Sequence, residues 1–162
     1  MGEDKKHSSG IDLDNREFLT AMSLLETTNR SVFLTGKAGT GKSTFLRHIT
    51  ENTPKKHVVL APTGIAAVNV GGQTIHSFFH LPFKPLLPDD PDFANPRKLF
   101  SFLKMNSPRR QLIKELELII IDEISMVRAD MIDFIDKICR FCTGDRRRPL
   151  GANAGAVGGV LH

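Results

Sequence analysis

The residues most able to do chemistry lie in two clusters eighty positions apart. The first is Gly36-Lys37-Ala38-Gly39-Thr40-Gly41-Lys42-Ser43, followed by Thr44, which spells G-x-x-x-x-G-K-S. Glycines at 36, 39 and 41 let the backbone turn its N–H groups toward a phosphate. Lys42 brings a point charge to β- and γ-phosphate oxygens, and the Ser43 hydroxyl can ligate Mg²⁺. The second cluster is Asp122-Glu123, at the end of the apolar run Leu118-Ile119-Ile120-Ile121. An aspartate there can hold Mg²⁺ through water, and a glutamate beside it can orient and deprotonate an attacking water. Alone this second pattern is weak, since Asp-Glu after a strand often only caps a helix. Together with the complete loop they specify a Mg²⁺-nucleoside-triphosphate site, with Lys42, Asp122 and Glu123 as its catalytic residues.

A third stretch has a different character. Pro62-Thr63-Gly64-Ile65-Ala66-Ala67 runs on to Gly71-Gly72-Gln73-Thr74-Ile75-His76-Ser77-Phe78-Phe79. Small residues at 64, 66, 67, 71 and 72 would let another backbone come close. Thr63, Thr74, His76 and Ser77 offer polar contacts, and Phe78 or Phe79 a stacking face. That combination suits a single strand tracked by its phosphates and stacked bases. Two adjacent phenylalanines on a short helix serve equally well as core, and local composition leaves the two readings level.

The elements that must position these groups are legible from periodicity. Ser31 to Thr35 and His57 to Ala61 read as buried strands, and Leu118 to Ile121 as a strand buried on both faces. Thr44 to Ile49 reads as a helix whose N-terminal dipole faces the anion. Asp14 or Asn15 can cap a helix bearing Phe18, Met22 and Leu25, placed over the nucleotide's base or on the sheet edge. Leu81 to Pro96, rich in proline, reads as a long surface loop. Helices follow over Pro96–Met105 and Pro108–Leu116, the arginines 109 and 110 being solvated or touching phosphate. Another runs over Arg128–Cys142 with Met131, Ile135, Ile138 and Cys142 on one face. The spacing Cys139-x-x-Cys142 lacks further zinc ligands and sits near a helix C-terminus, which disfavours thiolates, so both read as core. His76 and His80 could share a metal only with a third ligand.

At 162 residues and 40% hydrophobic composition the chain suits one domain with a real core. No run is long and apolar enough to span a membrane, and Met1 to Gly10 does not read as a signal peptide. Two cysteines make no disulfide framework, which suits a cytoplasm, bacterial nucleoid or nucleus and argues against secretion. A net charge of +4 is compatible with a polyanionic partner but does not by itself argue for one.

Taken together, the chain resembles the amino-terminal part of the Pif-type DNA helicases of superfamily one, over about Asn15 to Gly151. The resemblance rests on Leu34 to Ser43, Ala61 to Ala67, Gly72 to Phe79 and Ile121 to Val127. It implies an α/β fold: an incomplete RecA-like P-loop domain, a parallel sheet with flanking helices. It implies ATP and Mg²⁺ as cofactors, with Gly36 to Thr44 holding the nucleotide and Ser43 and Asp122 the metal. Single-stranded DNA is the implied partner, contacted by Thr63, Gly64, His76 and Phe79. The family activity it implies is five-prime to three-prime unwinding in DNA repair, recombination or telomere maintenance.

Three segments follow from this reading: a disordered tail over 1–13, the partial ATPase domain over 14–148, and a glycine-, alanine- and valine-rich tail over 149–162. The family continues with a strand and Gly-Asp-x-x-Gln, and with a second RecA-like domain carrying an arginine finger. Here Pro149-Leu150-Gly151-Ala152 leads into a segment with neither strand alternation nor a helical stripe. It is expected to be a shifted reading frame, leaving the edge beside Leu118–Ile121 uncovered and the chain prone to aggregate. A truncated helicase that binds ATP without unwinding DNA is thus the leading expectation. Another P-loop ATPase, a small-molecule or nucleotide kinase, or a non-catalytic nucleotide- or DNA-binding remnant of a frameshifted gene, is the alternative.

Overall fold

The computed structural model describes residues 16–35, 41–87, 89–150 and 155–159. The tail 1–13, the capping residues Asp14 and Asn15, and loop residues Gly36 to Thr40 therefore lie outside the described residues. In chain order the elements are α1 (Arg16–Thr27), β1 (Val32–Leu34), α2 (Lys42–Asn52), β2 (His57–Ala61), α3 (Gly64–Val70), β3 (Gln73–Thr74) and α4 (Ile75–Phe79). Then come α5 (Pro96–Phe102), α6 (Ser107–Glu115), β4 (Leu118–Ile121), α7 (Ala129–Thr143) and β5 (Gly155–Gly159). The strands form one five-stranded sheet in the order β1-β5-β4-β2-β3, every pairing parallel.

Strand alternation divides the core into two layers. Leu118 and Ile120 of β4, with Val59 of β2, face α1 and α2 through Ala21, Leu25, Phe45, Leu46 and Ile49. Ile119 and Ile121, with Leu60, face α4 to α7 through residues such as Phe79, Leu99, Ile113 and Ile138. All four β4 side chains are buried, as a central parallel strand requires. Each such burial stabilises the fold by roughly 1.5–3 kcal/mol. Helix α1 stacks Phe18 on Phe45 of α2, ring centroids 4.5 Å apart. It thereby lies on the α2 side of the sheet, against the edge strand β1 as well as the helix that follows the phosphate loop.

Two expectations are corrected. The tail was expected to contribute no strand, yet Gly155–Gly159 lies in the sheet interior. It pairs with β1 (Val32 with Val157) and with β4 (Ile120 with Val157). A strand held by ladders on both sides needs only backbone N–H and C=O groups, which glycine and alanine provide. The edge beside β4 is therefore covered, and the physical ground for a shifted reading frame and for aggregation there falls away. The loop from Leu81 is also more than surface. Leu81, Leu86 and Phe93 enter the core, and Asp90 caps a 3-10 turn over Pro91–Phe93.

The small residues near α3 mostly serve the fold itself. Ala66 and Ala67 pack on Ala61, and a Cβ on Gly72 would lie 2.3 Å from the Val59 carbonyl oxygen. Gly64 has nothing within 4 Å. Gly72→Ala is therefore expected to destabilise the chain by ~1–3 kcal/mol in urea unfolding, through forced backbone movement. Gly64→Ala should change stability by no more than ~0.5 kcal/mol.

Candidate functional site

Because every strand is parallel, all their carboxyl ends open on one edge of the sheet, where open α/β sheets bind ligands. Onto that edge β1 delivers the phosphate loop, β4 delivers Asp122-Glu123, and β2 delivers Pro62-Thr63. Strands β1 and β4 flank β5, which sets their axes roughly 9–10 Å apart. A lysine beginning the helix after β1 can span much of that gap toward the end of β4.

Among the described residues Lys42 and Asp122 are the buried charged ones, at 5% and 6% exposure. The Asp122 N–H donates to the Leu60 carbonyl at 2.9 Å, extending the β2–β4 ladder and fixing the aspartate's backbone. Its Oδ1 accepts the Glu123 N–H at 3.0 Å. Burial pushes the Asp122 carboxyl above its ordinary value, against the pull of that N–H and of the Lys42 charge. Glu123 is half-buried in a left-handed conformation, φ 53°, at the start of a 3-10 turn over Ile124–Met126. That turn swings its side chain out of the strand line, and such positive φ in a non-glycine residue is uncommon.

The visible end of the phosphate loop suits an anion. Gly41 sits at φ 84° as the N-cap of α2, and no side chain caps that helix. Its first-turn N–H groups have no intrahelical partner and the dipole's positive end lies there. Ser43 and Thr44 follow on that turn, Ser43 exposed. A buried cation and carboxylate, an exposed hydroxyl and a helix N-terminus are the donor set a divalent cation and a polyphosphate need. The residues described thus fit a Mg²⁺-nucleotide; Gly36, Lys37, Ala38, Gly39 and Thr40 lie outside the described residues.

Of the four expected single-strand contacts, three lie at the surface. Thr63 caps α3, its Oγ1 accepting the Ala66 N–H at 3.2 Å, and Gly64 opens that helix. His76 is half-exposed on α4, whose N-cap Thr74 accepts from Ser77 N–H at 3.2 Å. Phe79 is different: it is 0% exposed, edge-on to the buried Phe78. The expectation that Phe79 stacks a base is corrected, because its ring fills the core beneath α4. The aromatic that does face solvent is Phe83, at 92% exposure, stacked on His76 with centroids 4.7 Å apart and planes 9° from parallel. Sequence reasoning passed over it inside the proline-rich segment. A phenylalanine between Pro82 and Lys84, four residues beyond a short helix, was the available signal.

Arg109 and Arg110 are half-buried over aromatic rings rather than simply solvated, the first over Phe78 and the second over Phe100. Cys139 is buried and Cys142 partly so, and burial pushes both thiols up, Cys142 to about 11. Neither thiol is poised as a thiolate ligand or nucleophile.

Comparison with known proteins agrees with this arrangement. The model of the PIF1-like helicase family matches residues 12–160. An ATP-dependent DNA helicase PIF1 from Emericella nidulans is 34% identical over 130 residues, covering 75% of this chain and 16% of that protein. A crystal structure of Bacteroides sp Pif1 in complex with ADP-AlF4 superposes with a TM-score of 0.77 at 40% identity, over 90% of this chain and 31% of the other. Bacteroides Pif1 bound to ssDNA gives a TM-score of 0.76 at 40% identity, over 90% of this chain and 32% of that one. The chain thus spans about a sixth of the fungal relative and a third of the crystallised ones. The family match extends through β5, the strand that the tail was not expected to form, and with nearly the whole sequence inside it the chain belongs to the PIF1-like helicase family.

Proposed function

We propose that this chain binds Mg²⁺-ATP at the edge between β1 and β4, as part of the motor of a DNA helicase. The observation that carries the reading is the pair of buried charges, Lys42 and Asp122, brought to one edge beside an uncapped helix N-terminus. In this reading Lys42 and the α2 N–H groups bind phosphate oxygens, while Ser43 and Asp122 hold the metal. Glu123, next to Asp122 and turned out of the strand line, orients water and accepts its proton. Bound Mg²⁺-ATP supplies the phosphoanhydride bond whose hydrolysis drives movement along DNA in the whole helicase. We also take residues 16 to 159 as one RecA-like unit, since β5 lies between β1 and β4.

The same edge carries the proposed single-strand contacts. Thr63 and Gly64 let a backbone come close, because nothing stands over Gly64. His76 and Phe83 form a rigid two-ring stack, and the open face of Phe83 replaces Phe79 as the platform for a base. The reading places the protein with DNA, in a nucleoid or nucleus. Half a groove neutralises few phosphates, so single-strand binding is expected to be weak, with a shallow salt dependence.

Lys42→Ala should weaken binding of a fluorescent ATP analogue about ten- to a hundredfold, the range for one lost charge-assisted contact. Glu123→Gln should leave that binding intact and lower hydrolysis by about 10²–10⁴. Equal nucleotide binding by Lys42→Ala and the parent would remove the assignment.

For the DNA contacts, Phe83→Ala should weaken single-strand binding by ~1–3 kcal/mol with ATP affinity and stability unchanged. His76→Ala should act in the same direction. Phe79→Ala should instead lower stability by ~3–5 kcal/mol, as removal of a core ring does. Anisotropy titrations alongside denaturant unfolding separate the two behaviours. Loss of DNA affinity in a stably folded Phe79→Ala chain, with Phe83→Ala unaffected, would reverse the correction.

A further inference from the structure

The basic character of the chain is concentrated in one place. Asn95 to Lys114 carries six cations, Arg97, Lys98, Lys104, Arg109, Arg110 and Lys114, and no carboxylate, against a whole-chain net charge of +4. In the fold this stretch is α5, the turn after it, and α6. Two adjoining hollows lie along it, of about 610 and 260 Å³, sharing Phe100 and Arg110. Arg97 and Lys104 line the first and Lys114 the second, and neither wall includes an acidic side chain. Among the described residues none of these cations forms a salt bridge, whereas Lys56, Arg128, Arg140 and Arg148 all do.

Two features fix cations along the trough. Arg110 is held by its Nη2 donating to Ser107 Oγ at 2.9 Å and by the Phe100 ring beneath it. Lys104 has φ 52°, a left-handed conformation that lysine rarely adopts and that Gly or Asn would take more readily. The conformation ends α5 in a left-handed turn, the Lys104 N–H donating to the Ser101 carbonyl at 3.1 Å and the Met105 N–H to that of Phe100 at 2.9 Å. This turn sets Lys104 in the hollow's wall.

We infer that the α5–α6 trough is a second nucleic-acid site, one that grips the phosphate backbone of a duplex arm beside the proposed single-strand path. The inference rests on the DNA-binding reading above and adds a substrate feature to it. Phosphates rather than bases are the ligand, because Phe100 is almost wholly buried and the first hollow has no other aromatic to stack a base. Duplex backbone is favoured over a second single strand for the same reason, since paired bases need no platform. The trough is joined to the single-strand side through α4: His80, which caps the helix bearing His76, donates from Nδ1 to the Leu103 carbonyl at 3.2 Å, one residue before Lys104.

The test uses the chain as it is, with a labelled single strand and a fork carrying the same strand plus a duplex arm. Arg97→Gln combined with Lys104→Asn changes two exposed side chains, and asparagine suits the left-handed position, so the fold is retained. Arg16→Gln with Arg47→Gln removes the same charge from the exposed surfaces of α1 and α2 as a control. The parent should prefer the fork, and the trough variant should lose that preference. Its plot of log affinity against log salt on the fork should become shallower by about 1–2. Single-strand binding and the control variant should be unchanged. Equal losses on both DNAs, or unaltered fork binding, would overturn the inference alone; the latter is the result expected if the trough serves an acidic protein segment. Failure of the parent to bind either DNA would remove the functional reading with it.

Discussion

Lys42 and Asp122 must sit in the same low-dielectric edge although they come from strands that do not touch. Burying a charge is costly unless something opposite meets it. Here the meeting is imperfect: desolvation raises the Asp122 carboxyl further than Lys42 and the Glu123 N–H together lower it. The arrangement holds because β5 keeps β1 and β4 one strand apart and the β2 ladder runs on to the Asp122 N–H. A divalent cation would bring a further opposite charge to Asp122, and functional sites often give up stability for a ligand in this way.

The helical layer on the α4–α7 side links that edge to the surfaces proposed to face DNA. Phe79 is part of this link, since its buried ring anchors the short helix that carries His76 and ends at His80. His80 in turn meets the α5–α6 corner, where the unpaired cations gather. The proposed single-strand contacts and the basic trough therefore share one helical layer, on the sheet face opposite α1 and α2. A movement of α4 would be felt at both proposed DNA surfaces.

How much of this was legible beforehand depended on the kind of signal. Leu118 to Ile121 announced itself because a strand buried on both faces needs an unbroken apolar run, and all four residues are buried. Gly155-Ala156-Val157-Gly158-Gly159 announced nothing, because an interior strand can be held by its ladders alone while offering little side-chain pattern. β3 has only two residues, too few for any period. Lys42, Asp122 and Glu123 stood out because phosphate chemistry calls for those residue types at that spacing, and the fold buries the first two. Phe79 was not: two adjacent aromatics on a five-residue helix carry no sign of which way they face, and only packing sends Phe79 inward and leaves Phe83 out.

On the proposed function, the fold tolerates a charged Asp122 for the sake of a metal-nucleotide complex. A raised carboxyl stabilises the folded chain below its ordinary value near 3.8, and that contribution is lost as pH rises through the higher folded value. The most direct measurement is the unfolding midpoint of Asp122→Asn against the parent, at acid and neutral pH, with and without Mg²⁺-ATP. At neutral pH without ligand the variant should unfold at the higher temperature, and the difference should shrink toward acid. Mg²⁺-ATP should stabilise the parent by more than metal-free ATP does, and the variant should lose that metal-dependent increment. A less stable apo variant at neutral pH, or the same Mg²⁺-dependent gain in both proteins, would contradict the account.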